Sequence, residues 1–170
     1  MKKILIYSSS RADYGILKYL IKDLKNNIKI NAKLLVGGSH YANKLNYTYK
    51  EIISDKIKID LSSKIKLKNT TNIEILNFVS KSIKDYAKIL KLQKPDFVLV
   101  LGDRYETYAF VIAAYFLKIK IAHIHGGEVT TGSFDDSIRH SISKLSNYHF
   151  VTHKLYKKRL IQLGEKKAKI

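Results

Sequence analysis

The sequence contains no cysteine, no tryptophan and a single proline among its 170 residues. Without cysteine the chain can form no disulfide and can perform no thiolate chemistry, a composition that suits a cytoplasmic protein. No apolar run approaches the roughly 18 residues that a membrane-spanning helix needs. The basic N-terminus leads through a short apolar run into a polar loop, which predicts a first strand rather than a signal peptide. Membrane-embedded and disulfide-stabilised classes are therefore excluded.

Acidic residues are also scarce, with 14 against 32 basic residues and a formal net charge of +18. Such a charge raises the question of nucleic-acid binding. However, only 4 of the 32 basic residues are arginine, and the lysines are scattered over the whole chain. A nucleic-acid surface more often uses arginine forks and aromatic platforms. We interpret the charge as a solvated basic surface, with nucleic-acid binding as the alternative.

The scarcity of arginine makes its positions informative. Arg11, Arg104 and Arg139 each lie at the start or in the middle of a polar motif, whereas Arg159 lies in an ordinary-looking helix. Arginine is hard to replace where a planar, two-pronged donor must meet a phosphate or a carboxylate. The first three arginines are therefore candidates for contact with an anion.

Near-continuously apolar strands alternate with amphipathic helices along the chain. This alternation predicts an α/β fold with a doubly wound, mostly parallel, Rossmann-like sheet. By length, residues 1–170 form one domain. The predicted strands are 2–10, 30–38, 56–60, 95–104, 119–125 and 148–152, and the predicted helices are 12–27, 44–54, 72–93, 105–118, 133–147 and 154–165.

Four polar loops follow predicted strands, and ligands of open α/β sheets bind outside the carboxyl ends of the strands. The first loop, "SSSRADYG", opens a helix that Asp13 could cap. Arg11 at this helix N-terminus could clamp a phosphate or carboxylate, or it could simply lie in solvent. The loop contains neither G-x-G-x-x-G nor G-K-[ST], so the dinucleotide and P-loop fingerprints are absent. The second loop is "GGSH".

The third loop, "GDRYE", lies where a buried strand meets the start of a helix. Asp103 could merely cap that helix. Its position beside Arg104, at the edge of the sheet where ligands bind, favours a functional role.

The fourth loop belongs to "HIHGGEVTTGSFDDSIRH" (123–140), which holds three of the six histidines. His123 and His125 alternate along a predicted strand and are expected on one face of it. With Glu128 they could form a zinc site, but the spacing matches no known zinc pattern and no cysteine helps, so we do not predict a metal. The double glycine instead allows a tight turn and the close approach of a ligand.

The same stretch ends in a predicted helix that begins with two acids. Asp135 and Asp136 suit the positive end of the helix dipole. Arg139 follows one turn later, so the helix start is expected to present all three side chains together.

In this order, the motifs "SSSRADYG", "LGDRYE", "HIHGGE" and "DDSIRHSISKLS", with the ending "RLIQLGE", resemble the UDP-N-acetylglucosamine 2-epimerase family. They are similar to its hydrolysing branch, which feeds sialic and nonulosonic acid synthesis. The resemblance covers nearly the whole chain. It implies a two-domain enzyme of the glycosyltransferase-B type, of which residues 1–170 form only the N-terminal domain. The C-terminal nucleotide-binding domain would then be absent from this chain.

The resemblance also implies a reaction. UDP leaves as the C2 proton is removed, a glycal forms, and water adds to give a C2-epimerised free sugar such as N-acetylmannosamine. No cofactor or metal is implied, and the expected partner is a UDP-sugar, with neither nucleic acid nor membrane. Full-length relatives are expected to form homo-oligomers. The alternative is a truncated domain that binds a sugar nucleotide without turnover.

Roles for individual residues follow from the resemblance alone. Some relatives have a catalytic glutamate in "HIEGGE" where this chain has His125, so either His125 or the nearby Glu128 is implied as an acid/base. The other implied acid/base residues are Asp103 and Asp135, and the residues implied to contact UDP are Arg11, Gly15, Arg104 and Arg139.

Overall fold

A computed structural model of the chain describes residues 1–42, 47–67, 69–130 and 135–170. It contains six parallel strands in the order β3-β2-β1-β4-β5-β6, which confirms the prediction of a doubly wound parallel sheet. The strands are β1 (Lys2–Ser8), β2 (Ile30–Val36), β3 (Leu61–Ser62), β4 (Phe97–Leu101), β5 (Lys120–Ile124) and β6 (Tyr148–Phe150). The α-helices are α1 (Arg11–Asn26), α2 (Tyr49–Ser54), α3 (Asn72–Gln93), α4 (Tyr105–Phe116), α5 (Asp135–Leu145) and α6 (Lys154–Gln162).

The strand predicted at 56–60 is wrong, because β3 begins only after it. The side chain of Asp60 accepts the backbone N–H of Leu34 at 2.8 Å, so this N–H is not available to a longer β-ladder. Four predicted helices extend at least two residues beyond the observed ones, because α2 begins only at Tyr49 and α4, α5 and α6 end at Phe116, Leu145 and Gln162. Residues 44–46 and residues 133 and 134, which the predicted helices 44–54 and 133–147 include, lie outside the described residues.

The two faces of the sheet carry separate hydrophobic cores. Helices α3, α4 and α5 cover one face, and α1 and α2 cover the other. Within the first core, the ring of Tyr7 stacks on Phe110 with centroids 4.6 Å apart. The hydroxyl of Tyr7 lies 2.6 Å from that of Tyr86, so these buried polar atoms satisfy each other. Aromatic packing thus fixes α3 and α4 against β1.

Part of the sheet carries an apolar groove that is open to solvent. The groove has a volume of about 540 Å³ and runs over β4, β5 and β6 on the side of α1. Among the described residues, α1 is the only helix that lines it, through Leu20 and Leu24. Phe150 on its wall is 57% exposed. No described helix is long and apolar enough to span a membrane.

The strand order reverses between β1 and β4. From β1 the chain proceeds to β2 and β3 on one side, and from β4 it proceeds to β5 and β6 on the other. The loops that follow β1 and β4 therefore diverge and leave a crevice at the carboxyl ends of these strands. Crevices of this kind bind ligands in doubly wound sheets.

The turn at Gly127 gives a test of how closely α6 packs against the loop after β5. Gly127 has φ +75°, and a Cβ atom there would lie 2.6 Å from the carbonyl oxygen of Tyr156. We expect Gly127→Ala to lower the free energy of unfolding by about 2 kcal/mol or more, since both the backbone conformation and the contact oppose a side chain. Urea denaturation followed by circular dichroism measures the change.

The matched control is Gly15→Ala. Gly15 is helical, and no atom lies within 4 Å of the position of its Cβ. This substitution is expected to raise the free energy of unfolding by roughly 0.5–1 kcal/mol. Equal stability of Gly127→Ala and the wild type would contradict the packing described here.

Candidate active site

The loop after β1 is organised around the buried carboxylate of Asp13. This carboxylate accepts the backbone N–H groups of Ser9 at 2.8 Å and Ser10 at 3.0 Å. It also accepts the hydroxyls of Ser8 and Ser9, each at 2.8 Å. Asp13 takes part in the cap as predicted, although as the third helical residue of a capping box in which Ser10 is the N-cap. Asp13 fixes the path of the loop.

Arg11 and Gly15 lie on the exposed surface of α1, four residues apart and therefore on one side of the helix. The side chain of Arg11 is 72% exposed, and its Nε lies 2.8 Å from Oε1 of Glu51. The surface above Gly15 is open. Both residues are accessible to a ligand, and their contact with UDP stays a prediction.

In the loop after β4, hydrogen bonds fix the plane of the Arg104 guanidinium. Its Nε and Nη2 donate to the two carboxylate oxygens of Glu106, at 3.2 and 2.8 Å, and Nη2 also donates to the hydroxyl of Ser39 at 3.0 Å. Burial opposes the charge of Arg104, but Glu106 outweighs it and raises the pKa of the guanidinium. The Arg104 side chain remains 39% exposed, so one edge can still meet an anion.

Asp103 does not cap α4, because the N-cap is Arg104. Its carboxylate instead forms an ion pair with Arg139 of α5. The Arg139 guanidinium also donates to Asp136 at 3.3 Å and to the hydroxyl of Thr130 at 3.2 Å. Arg139 is only 6% exposed, so it orients protein acids, and its contact with UDP stays a prediction.

Asp135 is the first described residue of α5 and is partly exposed. Burial, together with the charges of Glu106 and Asp135, raises the pKa of the Tyr105 phenol. The start of α5 thus adds negative charge near the beginning of α4. Its catalytic role stays a prediction.

His125 and Glu128 form a pair. The Nδ1 atom of His125 lies 3.3 Å from Oε1 of Glu128, and that oxygen also accepts the hydroxyl of Thr152 at 2.9 Å. His125 follows the last residue of β5 and has φ +65°. The prediction that His123 and His125 share a strand face is therefore wrong, because strand alternation has ended at Ile124.

His123 is completely buried. Its Nε2 lies 2.8 Å from the carbonyl oxygen of Gly102, and its Nδ1 lies 3.2 Å from the hydroxyl of Ser143. Burial lowers the pKa of His123 to about 4, so the ring is neutral at pH 7. Across the described residues, no three histidine, aspartate or glutamate side chains gather closely enough to hold a metal ion.

Sequence reasoning missed two contributors to these loops. Glu106 is 1% exposed and holds Arg104, although its place in "GDRYE" gives no sign of burial. The guanidinium of Arg159 donates to the carbonyl of Gly127, so it anchors the glycine turn to α6 and is not an ordinary helix residue. The scarcity of arginine was the signal that could have identified Arg159.

The chain has relatives in a known family. The sequence profile of the family described as UDP-N-acetylglucosamine 2-epimerase matches residues 22–170. The chain belongs to this family. The resemblance inferred from the four motifs is therefore confirmed.

Individual relatives show how much of a family member the chain represents. It is 38% identical to the GDP/UDP-N,N'-diacetylbacillosamine 2-epimerase (hydrolyzing) of Campylobacter jejuni, over 99% of this chain and 44% of that protein. It is 39% identical to the polysialic acid biosynthesis protein P7 of Escherichia coli, over 100% and 44%. The crystal structure of the UDP-GlcNAc 2-epimerase from Neisseria meningitidis bound to UDP-GlcNAc matches with a TM-score of 0.85 and 25% identity, over 99% and 44%. The chain thus spans less than half the length of these relatives.

The buried histidines predict how stability depends on pH. Burial lowers the pKa of His123 to about 4, and it lowers the pKa values of His40 and His149 in the same direction. The unfolded histidines bind protons near pH 6.5, so the unfolded state gains protons first as the pH falls. We expect the free energy of unfolding to fall by on the order of 2 kcal/mol between pH 7 and 4.5.

Guanidinium denaturation at several pH values measures this loss. His123→Gln should reduce the dependence, because glutamine does not titrate. A free energy of unfolding that stays constant over this range would show that the histidines are not buried as neutral rings.

Proposed function

We propose that the protein acts as a hydrolysing 2-epimerase of a UDP-acetamido sugar. The observation that carries this proposal is the grouping of acid/base and cationic side chains on loops at one edge of the sheet, in a chain of this family. Asp103 and Arg104 follow β4, at the reversal of strand order, and His125 and Glu128 follow the neighbouring strand β5. Such groups can move a proton and can stabilise a departing diphosphate.

The proposed substrate is a class of sugar nucleotides and not a single compound. The Campylobacter jejuni relative is named for GDP/UDP-N,N'-diacetylbacillosamine, and the Neisseria meningitidis structure contains UDP-GlcNAc. Both names include a UDP sugar with an acetamido group. We therefore propose UDP-N-acetylglucosamine or a related acetamido sugar as the substrate.

The proposed reaction has two stages. A base removes the proton from C2, the bond between C1 and the UDP oxygen breaks, and a C1–C2 double bond forms, giving a glycal and UDP. Water then adds its hydroxyl to C1, while a proton returns to C2 from the opposite face. Asp103, Asp135 and the His125–Glu128 pair are proposed to move these protons.

The leaving diphosphate needs positive charge or N–H donors. Arg104 offers a guanidinium whose plane is already fixed by Glu106. Arg11 lies at the N-terminus of α1, where the helix dipole adds a further attraction for an anion. Gly15 leaves the neighbouring surface open. We propose that Arg104, Arg11 and the surface beside Gly15 bind the diphosphate. We propose that Arg139 keeps the carboxylates of Asp103 and Asp136 oriented through its ion pairs with them.

The alternative is a sugar-nucleotide-binding domain without turnover. It is favoured by the length comparison, because the chain spans only 44% of its Campylobacter jejuni relative. If the remaining part of such a relative supplies half of the cleft, this chain alone would bind UDP weakly and would release none from the substrate.

Release of UDP from UDP-N-acetylglucosamine separates these proposals. We expect Asp103→Asn to lower the rate by about 100-fold or more, since the amide cannot accept a proton. Asp23→Asn is the matched control, because Asp23 is an exposed carboxylate on the later part of α1. A coupled assay for UDP and NMR of the sugar product measure both variants.

The outcomes of this experiment are distinct. Release that is lost only in Asp103→Asn supports the enzyme. UDP binding without release supports the binding domain. Salt-dependent binding of DNA or RNA that Asp103→Asn leaves unchanged, with no affinity for UDP, overturns both.

The contact between His125 and Glu128 predicts that the two act as a unit. We expect His125→Ala and Glu128→Gln each to lower UDP release by at least about tenfold, and the double variant to be no slower than the slower single variant. Thr152→Ala, which removes one hydrogen bond to Glu128, serves as a mild control. Rate losses that simply multiply in the double variant would contradict a shared role.

A further inference from the structure

The imidazole of His123 lies between two parts of the candidate site. Its Nε2 lies 2.8 Å from the carbonyl oxygen of Gly102, in the loop that carries Asp103. Its Nδ1 lies 3.2 Å from the hydroxyl of Ser143, on the helix that carries Arg139. Both His123 and Ser143 are 0% exposed. One buried ring therefore joins the two elements that supply the Asp103–Arg139 ion pair.

The contact with Gly102 fixes the peptide bond that leads into Asp103. The N–H of Gly102 donates to the carbonyl of Ile124 at 3.1 Å, and the Gly102 carbonyl meets His123. Gly102 has φ +81°, a conformation that its lack of a side chain permits. Because β5 supplies both partners, the direction in which Asp103 leaves β4 depends on this strand.

The contact with Ser143 acts on the other side of the ion pair. Ser143 lies one helical turn after Arg139, and its hydroxyl is also 3.0 Å from the Arg139 carbonyl. Gly126 packs directly over this contact, since a Cβ there would lie 3.0 Å from both His123 Nδ1 and Ser143 Oγ. The first glycine of the double-glycine turn thus leaves room for the histidine–serine bond.

We propose that His123 is a positioning residue, which holds the Gly102–Asp103 peptide and α5 at the spacing that keeps the Asp103 carboxylate against Arg139. This inference rests on the proposed function, in which Asp103 moves a proton. A carbonyl oxygen only accepts, so Nε2 carries the hydrogen and Nδ1 is an acceptor. The single hydrogen of the Ser143 hydroxyl then points to Nδ1 and not to the Arg139 carbonyl. Burial lowers the pKa of the ring and keeps it neutral. His123 therefore acts by orienting its two hydrogen-bond partners and not by its charge.

The first experiment is independent of activity. Side-chain ¹⁵N–¹H NMR of the histidines in the 170-residue chain should identify His123 as a neutral ring with hydrogen on Nε2 from pH 5.5 to 7.5. A hydrogen on Nδ1, or a charged ring at pH 6, overturns the inference. This result decides the hydrogen-bond arrangement even if the chain releases no UDP.

The second experiment compares two substitutions in UDP release. Glutamine places an amide N–H near the position of Nε2, whereas asparagine is too short to reach Gly102. We expect His123→Asn to lower kcat by about 10- to 100-fold with KM nearly unchanged, because a small displacement of a reacting group is costly. His123→Gln should stay within about threefold of the wild type.

The matched control is His149→Asn. His149 is also buried, lies opposite His123 on the neighbouring strand β6, and contacts Glu165 instead of the site loops. It should lower thermal stability while kcat measured below the melting temperature stays unchanged. Equal kcat for His123→Asn and the wild type, or equal losses in the asparagine and glutamine variants, overturns the inference. Absence of turnover in the wild type overturns the proposed function instead.

Discussion

The candidate site depends on one partly buried ion pair, between Asp103 and Arg139. Arg139 is almost fully removed from solvent, and a buried guanidinium is tolerated only when acids and hydroxyls surround it. The pair connects the loop after β4 to α5, which follow different strands. Because separating the pair would leave the buried Arg139 charge uncompensated, the loop and the helix cannot move independently without a large cost in free energy. The acids at this edge are thus held by the same interaction that ties the elements together.

Left-handed backbone residues complete this arrangement. Gly102, His125 and Gly127 all have positive φ, and they bracket the ends of β4 and β5. Each turns the chain abruptly where a strand finishes, so neighbouring loops face a common crevice and do not run on across the surface. A histidine in this conformation costs more than glycine does, and such strain is typical of functional loops.

Sequence alone predicted the parallel sheet and the edge at which the polar loops meet, because apolar strands and amphipathic helices leave strong periodic signals. Sequence reasoning failed where the hydrogen-bond or ion-pair partner of a side chain is distant in the chain. The burial of Arg139 depends on Asp103, 36 positions away, and the role of Arg159 depends on Gly127. It also failed at strand ends, where a single residue decides whether alternation continues: His125 lies one residue beyond β5. Periodicity reports which face is apolar, but it does not report which polar atoms meet across the fold.

The apolar groove over β4, β5 and β6 makes the stability of the folded chain depend on which molecules are present in solution. Its walls reach water in the folded chain, so this part of the sheet contributes less hydrophobic stabilisation than a covered face would. Any molecule that binds the groove only in the folded state raises the melting temperature with the logarithm of its concentration. The stability of the chain therefore depends on the composition of the solution as well as on the sequence.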